Sequence, residues 1–330
     1  MDNALTSLTA LKRQRFAICD AIQRRTSRRL TFTRADALEL LAIEKPREPG
    51  NERSRQTVDV IITHRNRKTR LNNVRFLVWN GPVQIITIRH EGRELDCTTA
   101  VCTWANYAPV LTTQELVVLG DSMMRRNKRL VRAELSDFIA YLDQAQQMMA
   151  DSARPRMFRG YRKCRIALVL MREGTDSSQE TRTRLVLLQY GLPEPVVNYE
   201  VRLPDGKPAL LDMAYPELRI VIEYDGNYHR FDSQQVLRDD KRREALEAMG
   251  WIYIKVTVLD LRDEARQEAL AQRVASAMEK VLGVPVPLVP RMTLRQVADG
   301  RRRRKIPIWD KVPRDTGNDD PNTKRARKRR

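Results

Sequence analysis

One segment, RIVIEYDG at residues 219–226, constrains this chain more than any other. It is typical of a β-strand because apolar residues dominate it, and successive side chains of a strand point to opposite faces. Glu223 and Asp225 therefore share one face with Val221. Two neighbouring carboxylates at the end of an apolar strand repel each other and are partly desolvated. A bound cation would remove that penalty, so the segment predicts a cation site.

A third acidic residue, Asp212, lies inside the apolar segment ALLDMA. The short connection at 215–218 predicts a hairpin that brings Asp212 beside Glu223. Converging carboxylates suit Mg²⁺ or Mn²⁺, and such an ion promotes the hydrolysis of phosphodiester bonds. Each acid also has a simpler interpretation, with Asp225 as part of an Asp-Gly turn and Glu223 as a salt-bridged residue on the strand face.

The charge distribution favours a nucleic acid as the partner. The chain has 61 Lys and Arg against 42 Asp and Glu, a net charge of +19 over 330 residues, and such an excess attracts polyanions. Residues 301–330 hold thirteen basic and four acidic side chains and are predicted to be disordered. Their first basic cluster, expected to contact phosphate, comprises Arg301, Arg302, Arg303, Arg304 and Lys305. DNA is the expected partner and RNA the alternative.

The sequence says less about the cellular location and the oligomeric state of the protein. No apolar run is long enough to cross a bilayer and no signal-peptide pattern is present, so no membrane partner is expected. The four cysteines lack CxxC spacing and are expected to be reduced. These features predict a cytoplasmic protein, with association to the nucleoid as an alternative; the oligomeric state stays open.

Three regions are predicted along the chain. Residues 1–150 form a smaller α+β domain, residues 151–285 an α/β domain and residues 286–330 the basic tail. In the first region, LTFTRADALELLAI predicts a strand that enters a helix with Thr33 as its N-cap. The elements expected in the second region are a helix over 177–190, three strands, a helix over 233–249, a strand from Trp251 and a helix over 264–282.

The segments LLDMAYPELRIVIEYDGNYH and LRDDKRREALEAMGWIYIKVT carry a resemblance to a known family. They resemble the Vsr-like (very short patch repair) endonuclease-related domains of the PD-(D/E)XK superfamily over about residues 175–265. The shared pattern is an acid, a hairpin, E-x-D-G, a histidine and then D-x-x-R-x-x-x-L-x-x-x-G-W. The resemblance implies a restriction-endonuclease-like mixed sheet flanked by helices and an Mg²⁺-dependent DNA endonuclease or nickase.

The resemblance assigns roles to the acidic residues. It implies that Asp212 and Glu223 are metal ligands and that Asp225 joins them from the same face. It also implies that His229 lies near the phosphate or the leaving group. Glu180, on the helix before the sheet, is implied as a further metal ligand, although Ser177-x-x-Glu180 is also a capping box that needs no catalysis.

One position departs from the family pattern, since the superfamily's E-x-K places a lysine where this chain has Asp225. On the following helix, the resemblance implies Asp239 as a supporting residue. It implies that Arg242 contacts the scissile phosphate or pairs with Asp225. Lys241, Arg242 or Lys255 can supply the missing positive charge, and the sequence leaves that choice open.

The first region carries a second resemblance. LTFTRADALELLAI, VRFLVWNGP and CTTAVCTWANYAPVLTTQELVVLGDSMMRR resemble the region that accompanies such nuclease domains in actinobacterial proteins similar to AbiEi-type antitoxins of type IV toxin–antitoxin systems. This likeness implies DNA binding through a winged-helix-like module. Three functions therefore stay open: a DNA endonuclease of defence or mobile-element biology, a DNA-binding regulator or antitoxin with a silent nuclease fold, and an RNA-binding accessory protein.

Overall fold

The chain forms two compact units, which divide between Ser178 and Gln179. The computed structural model describes residues 3–48, 56–151, 156–226 and 233–300, without the side chains of 3–4 and 233–239. None of the helices in these ranges combines the length and the apolar character needed to cross a bilayer.

The first unit packs helices against a mixed sheet. In chain order its elements are α1 (Asn3–Gln23), β1 (Thr31–Phe32), α2 (Ala35–Leu40), β2 (Val58–Ile62), β3 (Val74–Val78), β4 (Ile85–His90), β5 (Arg93–Thr98), α3 (Ala100–Tyr107), α4 (Thr113–Met123), α5 (Leu135–Ala150) and α6 (Tyr161–Leu170). The described strands have the order β3-β2-β1-β5-β4. The pairs β2–β3 and β1–β5 are parallel, whereas β1–β2 and β4–β5 are antiparallel.

The N-cap predicted at Thr33 is wrong. The helix α2 begins after Arg34, whose side chain makes no capping hydrogen bond and whose φ is 52°. The Oγ1 of Thr33 instead forms a 3.0 Å hydrogen bond with the Oγ1 of Thr98, which in turn lies 2.7 Å from the Oγ1 of Thr103. The hydroxyl of Thr33 is therefore used in a buried threonine chain that the local sequence does not reveal.

The segment before the second unit lies with the first unit. The sequence predicts that the second domain begins at residue 151, within the polar stretch MMADSARPRMFRGYRKCR. In the structure, α6 packs against α4 and α5. The side chains of Cys164 and Leu170 on α6 are fully buried, and Met171, also buried, lies against Gly120 of α4. This apolar packing explains why the division between the units falls 28 residues later than the predicted one.

The second unit has the predicted order of elements, followed by one short helix that the sequence does not predict. It contains α7 (Ser178–Gln189), β6 (Val196–Arg202), β7 (Pro208–Tyr215), β8 (Ile220–Tyr224), α8 (Ser233–Ala248), β9 (Ile252–Val256), α9 (Glu264–Leu282) and α10 (Leu294–Ala298). The sheet order is β6-β7-β8-β9, in which β6, β7 and β8 form an antiparallel meander and β9 runs parallel to β8. The predicted α+β class, with mixed sheets flanked by helices, is thus confirmed.

Both faces of this sheet are covered, which explains the apolar strands. On one face Ile220 and Ile222 pack with residues of α9, including Val274. On the other face Val221 packs with Leu246 of α8 and with Trp251. Glu223 of β8 lies on the α8 side, since it alternates with the isoleucines.

The predicted start of the tail at residue 286 is wrong. Val286 is buried in the core, and the backbone N–H groups of Val289 and Met292 donate to the carbonyl oxygens of Tyr190 and Gln189. The helix α10 follows, and a capping box at Thr293 begins it. The chain therefore continues its packed structure to residue 300. The prediction of disorder for 301–330 lies outside the described residues.

Candidate active site

The hairpin of β7 and β8 places two carboxylates opposite each other. Met213 pairs with Ile222 in antiparallel register, so the next step of the register sets Asp212 opposite Glu223. The Oδ2 of Asp212 accepts a 2.9 Å hydrogen bond from the backbone N–H of Tyr224. The side chain of Asp212 is thereby held against β8, as the predicted hairpin requires.

The strand β9 brings a lysine to the same place. Parallel register pairs Glu223 with Lys255, and the backbone N–H of Asp225 donates to the carbonyl oxygen of Val256 at 2.7 Å. The Nζ of Lys255 lies 2.5 Å from the Oδ2 of Asp225. Asp212, Glu223 and Lys255 thus form one row across three strands, which we call the acid–lysine row.

Glu223 accepts hydrogen bonds from two side chains. Its Oε1 lies 2.6 Å from the Nη2 of Arg242, and its Oε2 accepts a 3.0 Å hydrogen bond from the hydroxyl of Tyr253. Only 13% of the Glu223 side chain is exposed, so the two donors offset much of the desolvation of its charge. Burial, followed by the charge of Glu223, raises the pKa of Tyr253, which keeps that hydroxyl protonated and able to donate.

Arg242 reaches the site from α8. Its Nη2 also donates to the carbonyl oxygen of Leu210 on β7, and its buried Nε has no hydrogen-bond partner among the described residues. Arg242 thus pairs with Glu223 and not with Asp225, which was one of the two roles expected for it. Lys241 is exposed beside it, and no contact joins Lys241 to Asp225 in the described part of the chain. Three cations were considered as substitutes for the lysine expected at position 225. Lys255 is the one whose ammonium group lies beside Asp225.

Tyr253 is a site residue that the sequence reasoning missed. It is partly buried against the core on the α8 side, where its ring also lies 5.3 Å from the guanidinium of Arg243. The alternation of WIYIKV puts Trp251, Tyr253 and Lys255 on one face of β9, and that pattern was available in the sequence. The missing information was the partner strand, because only the parallel register of β8 and β9 places the tyrosine near Glu223.

The other predicted site residues are placed less completely. Glu180 lies in the first turn of α7 and is buried, at 5% exposure. Asp239 lies on α8, but its side chain is outside the described residues. His229 lies outside them altogether, as do Arg301, Arg302, Arg303, Arg304 and Lys305.

The row can be compared with the needs of a divalent metal. Across the described ranges, no group of three or more His, Cys, Asp or Glu side chains is arranged to hold a metal ion. Mg²⁺, however, is commonly bound through only one or two carboxylates, with water and substrate phosphate as the remaining ligands. Asp212 and Glu223 fit that requirement by donor type and by their opposed positions. Arg242 and Lys255 would balance the additional charge of a bound phosphate.

Comparison with known proteins gives relatives without a described function. Two curated proteins of Mycobacterium tuberculosis match, the "Uncharacterized protein MT2308" of strain CDC 1551 / Oshkosh and the "Uncharacterized protein Rv2248" of strain ATCC 25618 / H37Rv. Each is 30% identical over 105 residues, which are 32% of this chain and 38% of the relative. No family model matches the chain, and no solved structure matches it.

Proposed function

We propose that the second unit is a PD-(D/E)XK-type nuclease core that hydrolyses phosphodiester bonds of DNA with Mg²⁺ or Mn²⁺. The acid–lysine row is the observation that carries this proposal. It combines two opposed carboxylates with an ammonium group on one face of a sheet. A fold that only needed stability would fill these positions more readily with apolar side chains, because burying charges is unfavourable even when they are paired.

The topology supports the same proposal. The order α7-β6-β7-β8-α8-β9 gives an antiparallel meander followed by a helix and a strand parallel to the third strand. This is the mixed sheet flanked by helices that the family resemblance implies. Asp225 stands where the family pattern has a lysine, but the Nζ of Lys255 lies beside its carboxylate and can supply the missing positive charge.

Each residue of the site then has a chemical role. Asp212 and Glu223 would hold the divalent metal, which, when bound, lowers the pKa of an attacking water and neutralises charge on the phosphate. Lys255 orients the water with its ammonium group, and Arg242 stabilises the charge that develops on the phosphate oxygens. The water oxygen forms the new bond to phosphorus, one bridging P–O bond breaks, and the released proton balances the leaving oxygen.

A second function is favoured by a different observation. Glu223 is paired with Arg242 and Asp225 with Lys255, so these carboxylates have cationic partners within the protein itself. A site balanced in this way can persist without a metal. The corresponding function is a DNA-binding regulator, or a protein like a type IV antitoxin, that keeps a catalytically silent nuclease fold.

One experiment separates the two functions. Purified full-length chain is incubated with supercoiled plasmid and Mg²⁺ or Mn²⁺, and nicked and linear products are quantified over time. The variants are Asp212→Asn, whose amide oxygen still accepts the N–H of Tyr224, and Glu223→Gln. The matched control is Asp205→Ala, which removes an exposed aspartate at the turn between β6 and β7.

The nuclease proposal expects product from the wild type and from Asp205→Ala, and at least about 100-fold less from the two site variants. Product formation that is equal in Asp212→Asn and the wild type would mean that another site, or a contaminant, cleaves the DNA. A wild type that binds DNA but forms no product with either metal would reject the nuclease and support the silent regulator.

A further inference from the structure

A cluster of exposed cations lies on the first unit, far along the chain from the acid–lysine row. The connection between β2 and β3 has the sequence THRNRKTRLNN at residues 63–73. Arg65, Arg67, Lys68 and Arg70 are all exposed in it. Four positive side chains within six residues repel one another, so a purely structural connection gains nothing from them.

The backbone presents these four cations on a defined scaffold. A 3₁₀ turn at Arg65–Arg67 is closed by hydrogen bonds from the N–H of Arg67 to His64 O and from the N–H of Lys68 to Arg65 O. Because β2 and β3 are parallel, the connection must run back along the length of a five-residue strand. That length is about 16 Å at the usual rise per residue.

The segment just after α1 enlarges this surface. The Nη1 of Arg25 donates to the carbonyl oxygen of Asn72 at 3.2 Å, which fixes the region just after α1 to the connection. Arg25 and Arg28 are both exposed there. We define the basic loop surface as these two arginines with the four cations of the connection, namely Arg25, Arg28, Arg65, Arg67, Lys68 and Arg70.

The charges of this surface are not neutralised by neighbouring acids. For the six side chains, no ion pair occurs with any acid in the part of the chain that the structure describes. Arginines close to them in sequence behave differently. Arg24 pairs with Asp20 at 2.8 Å, and Arg29 with Asp96 at 2.5 Å. These two neighbouring arginines are thus paired with acids, whereas the six cations of the basic loop surface are available to an anionic partner.

We propose that the basic loop surface binds the phosphate backbone of duplex DNA. Each strand of a duplex carries about one phosphate per 3.4 Å of axis, so a 16 Å connection can lie along about five phosphates of one strand. Residues 63–73 contain no Phe, Tyr or Trp, and single-stranded nucleic acids are usually held by stacking on such rings. A backbone contact by cations alone suits a duplex, and it positions the DNA without reading its sequence.

This inference goes beyond the nuclease proposal, because it concerns another unit and requires no hydrolysis. The test measures binding of the full-length chain to a fluorescein-labelled 25-base-pair DNA duplex by anisotropy, in EDTA and over a series of salt concentrations. The principal variant replaces Arg65, Arg67, Lys68 and Arg70 with alanine. The matched control replaces four exposed cations elsewhere on the first unit with alanine: Lys128, Arg159, Arg162 and Arg165.

The expected result follows from counterion release. Each lost phosphate contact reduces the slope of log K against log salt by about 0.9, so the principal variant should lose about 3 to 4 from the slope and at least about tenfold in affinity at 0.15 M salt. The double variant Lys68→Ala with Arg70→Ala should show about half that change in slope. The control variant has the same net charge as the principal variant, and it should bind the duplex nearly as tightly as the wild type does.

Three outcomes would overturn the inference. The first is an equal loss of DNA affinity in the principal and control variants, which would mean that binding depends only on net charge. The second is no change in the principal variant, provided that circular dichroism shows it to be folded. The third is competition by poly-glutamate as effective, per charge, as competition by unlabelled duplex, which would point to an acidic protein as the partner. Failure of the plasmid assay would leave this result unaffected.

Discussion

Glu223 and Lys255 are register partners on two parallel strands, and the ammonium group of Lys255 lies 2.5 Å from the carboxylate of Asp225, which directly follows β8. A single lysine on β9 therefore lies beside two acidic residues, Glu223 near the end of β8 and Asp225 just after it. Its location depends on strand pairing and not on local sequence. For this reason the ammonium group of Lys255 lies beside Asp225, although position 225 itself is not a lysine.

The first prediction concerns the lysine itself. Under the nuclease proposal, Lys255→Met should lower the rate of plasmid nicking about 100-fold, because an ammonium group near the phosphate is lost. About half of the Lys255 side chain is exposed, so the free energy of unfolding should change by less than about 1 kcal/mol. Initial nicking rates and urea denaturation measure the two effects separately.

Two further variants sharpen this comparison. Lys255→Arg keeps the charge and should retain part of the rate. Lys207→Met removes an exposed lysine that also pairs with an aspartate, and it should nick at the rate of the wild type. A Lys255→Met protein with full activity would exclude the lysine from the chemistry.

The second prediction follows from the raised pKa of Tyr253. Burial and the charge of Glu223 raise this pKa in the folded state, so the stabilising contribution is complete below the ordinary tyrosine pKa of about 10 and decreases as the pH rises above it. At pH 8, Tyr253→Phe should lose about 1 kcal/mol with the hydrogen bond to Glu223. Between pH 8 and pH 11 this advantage of the wild type should fall by about 1 kcal/mol and so disappear. Urea unfolding at both pH values measures it, and a constant difference would contradict the assigned shift.

Some of the second unit could be predicted from sequence because its signals are local. The helix α9 was expected over 264–282 and has those bounds, since Asp263 caps its start and Gly283 ends it with a φ of 65°. Asp212 of β7 and Glu223 of β8 were likewise expected on one hairpin, because a short connection leaves few alternatives.

The remaining features depend on contacts between distant segments. Tyr253 reaches Glu223 only through the pairing of β8 with β9, with the whole of α8 between them in sequence. The segment after 285 has the composition of a linker, but Val286 fills a place in the core and the chain then pairs with the end of α7. Local patterns do not contain such information, so both features were missed.

The third prediction compares two glycines of the first unit. Gly160 has a φ of 96°, and a Cβ there would lie 2.7 Å from the Cβ of Ala108 and 2.9 Å from its carbonyl carbon. Gly92 has a φ of 74° with open space around it. Gly160→Ala should lower the free energy of unfolding by about 3 kcal/mol, since it adds a steric clash to the backbone strain, and Gly92→Ala by only about 1 kcal/mol. Thermal denaturation of both variants checks this, and equal losses would show that α6 can shift away from Ala108.

The last prediction concerns Asp36, a buried carboxylate of α2. Its Oδ1 lies 3.2 Å from the Nη1 of Arg15, and its Oδ2 accepts a 2.7 Å hydrogen bond from the N–H of Asp59. Burial raises its pKa to about 7, although both of these contacts oppose the shift, and the carboxylates of Asp59 and Glu39 add to it. A raised pKa means that the stabilising contribution is complete below pH 4 and is lost as the pH rises to 7.

Asp36→Asn removes this titration while its amide oxygen can still accept the N–H of Asp59. The variant should be close to the wild type at pH 4, when Asp36 is neutral, and more stable by up to about 4 kcal/mol at pH 8, when the wild type must bury a charge. Asp96→Asn should change the stability in the opposite direction. The hydrogen bond from Arg29 lowers the pKa of Asp96, so the ionised carboxylate stabilises the fold above pH 4. The free energy of unfolding at pH 8, relative to the wild type, should therefore rise for Asp36→Asn and fall for Asp96→Asn. Urea unfolding at pH 4 and pH 8 measures both changes. A destabilised Asp36→Asn at that pH would show that the ion pair with Arg15 outweighs the desolvation of the carboxylate.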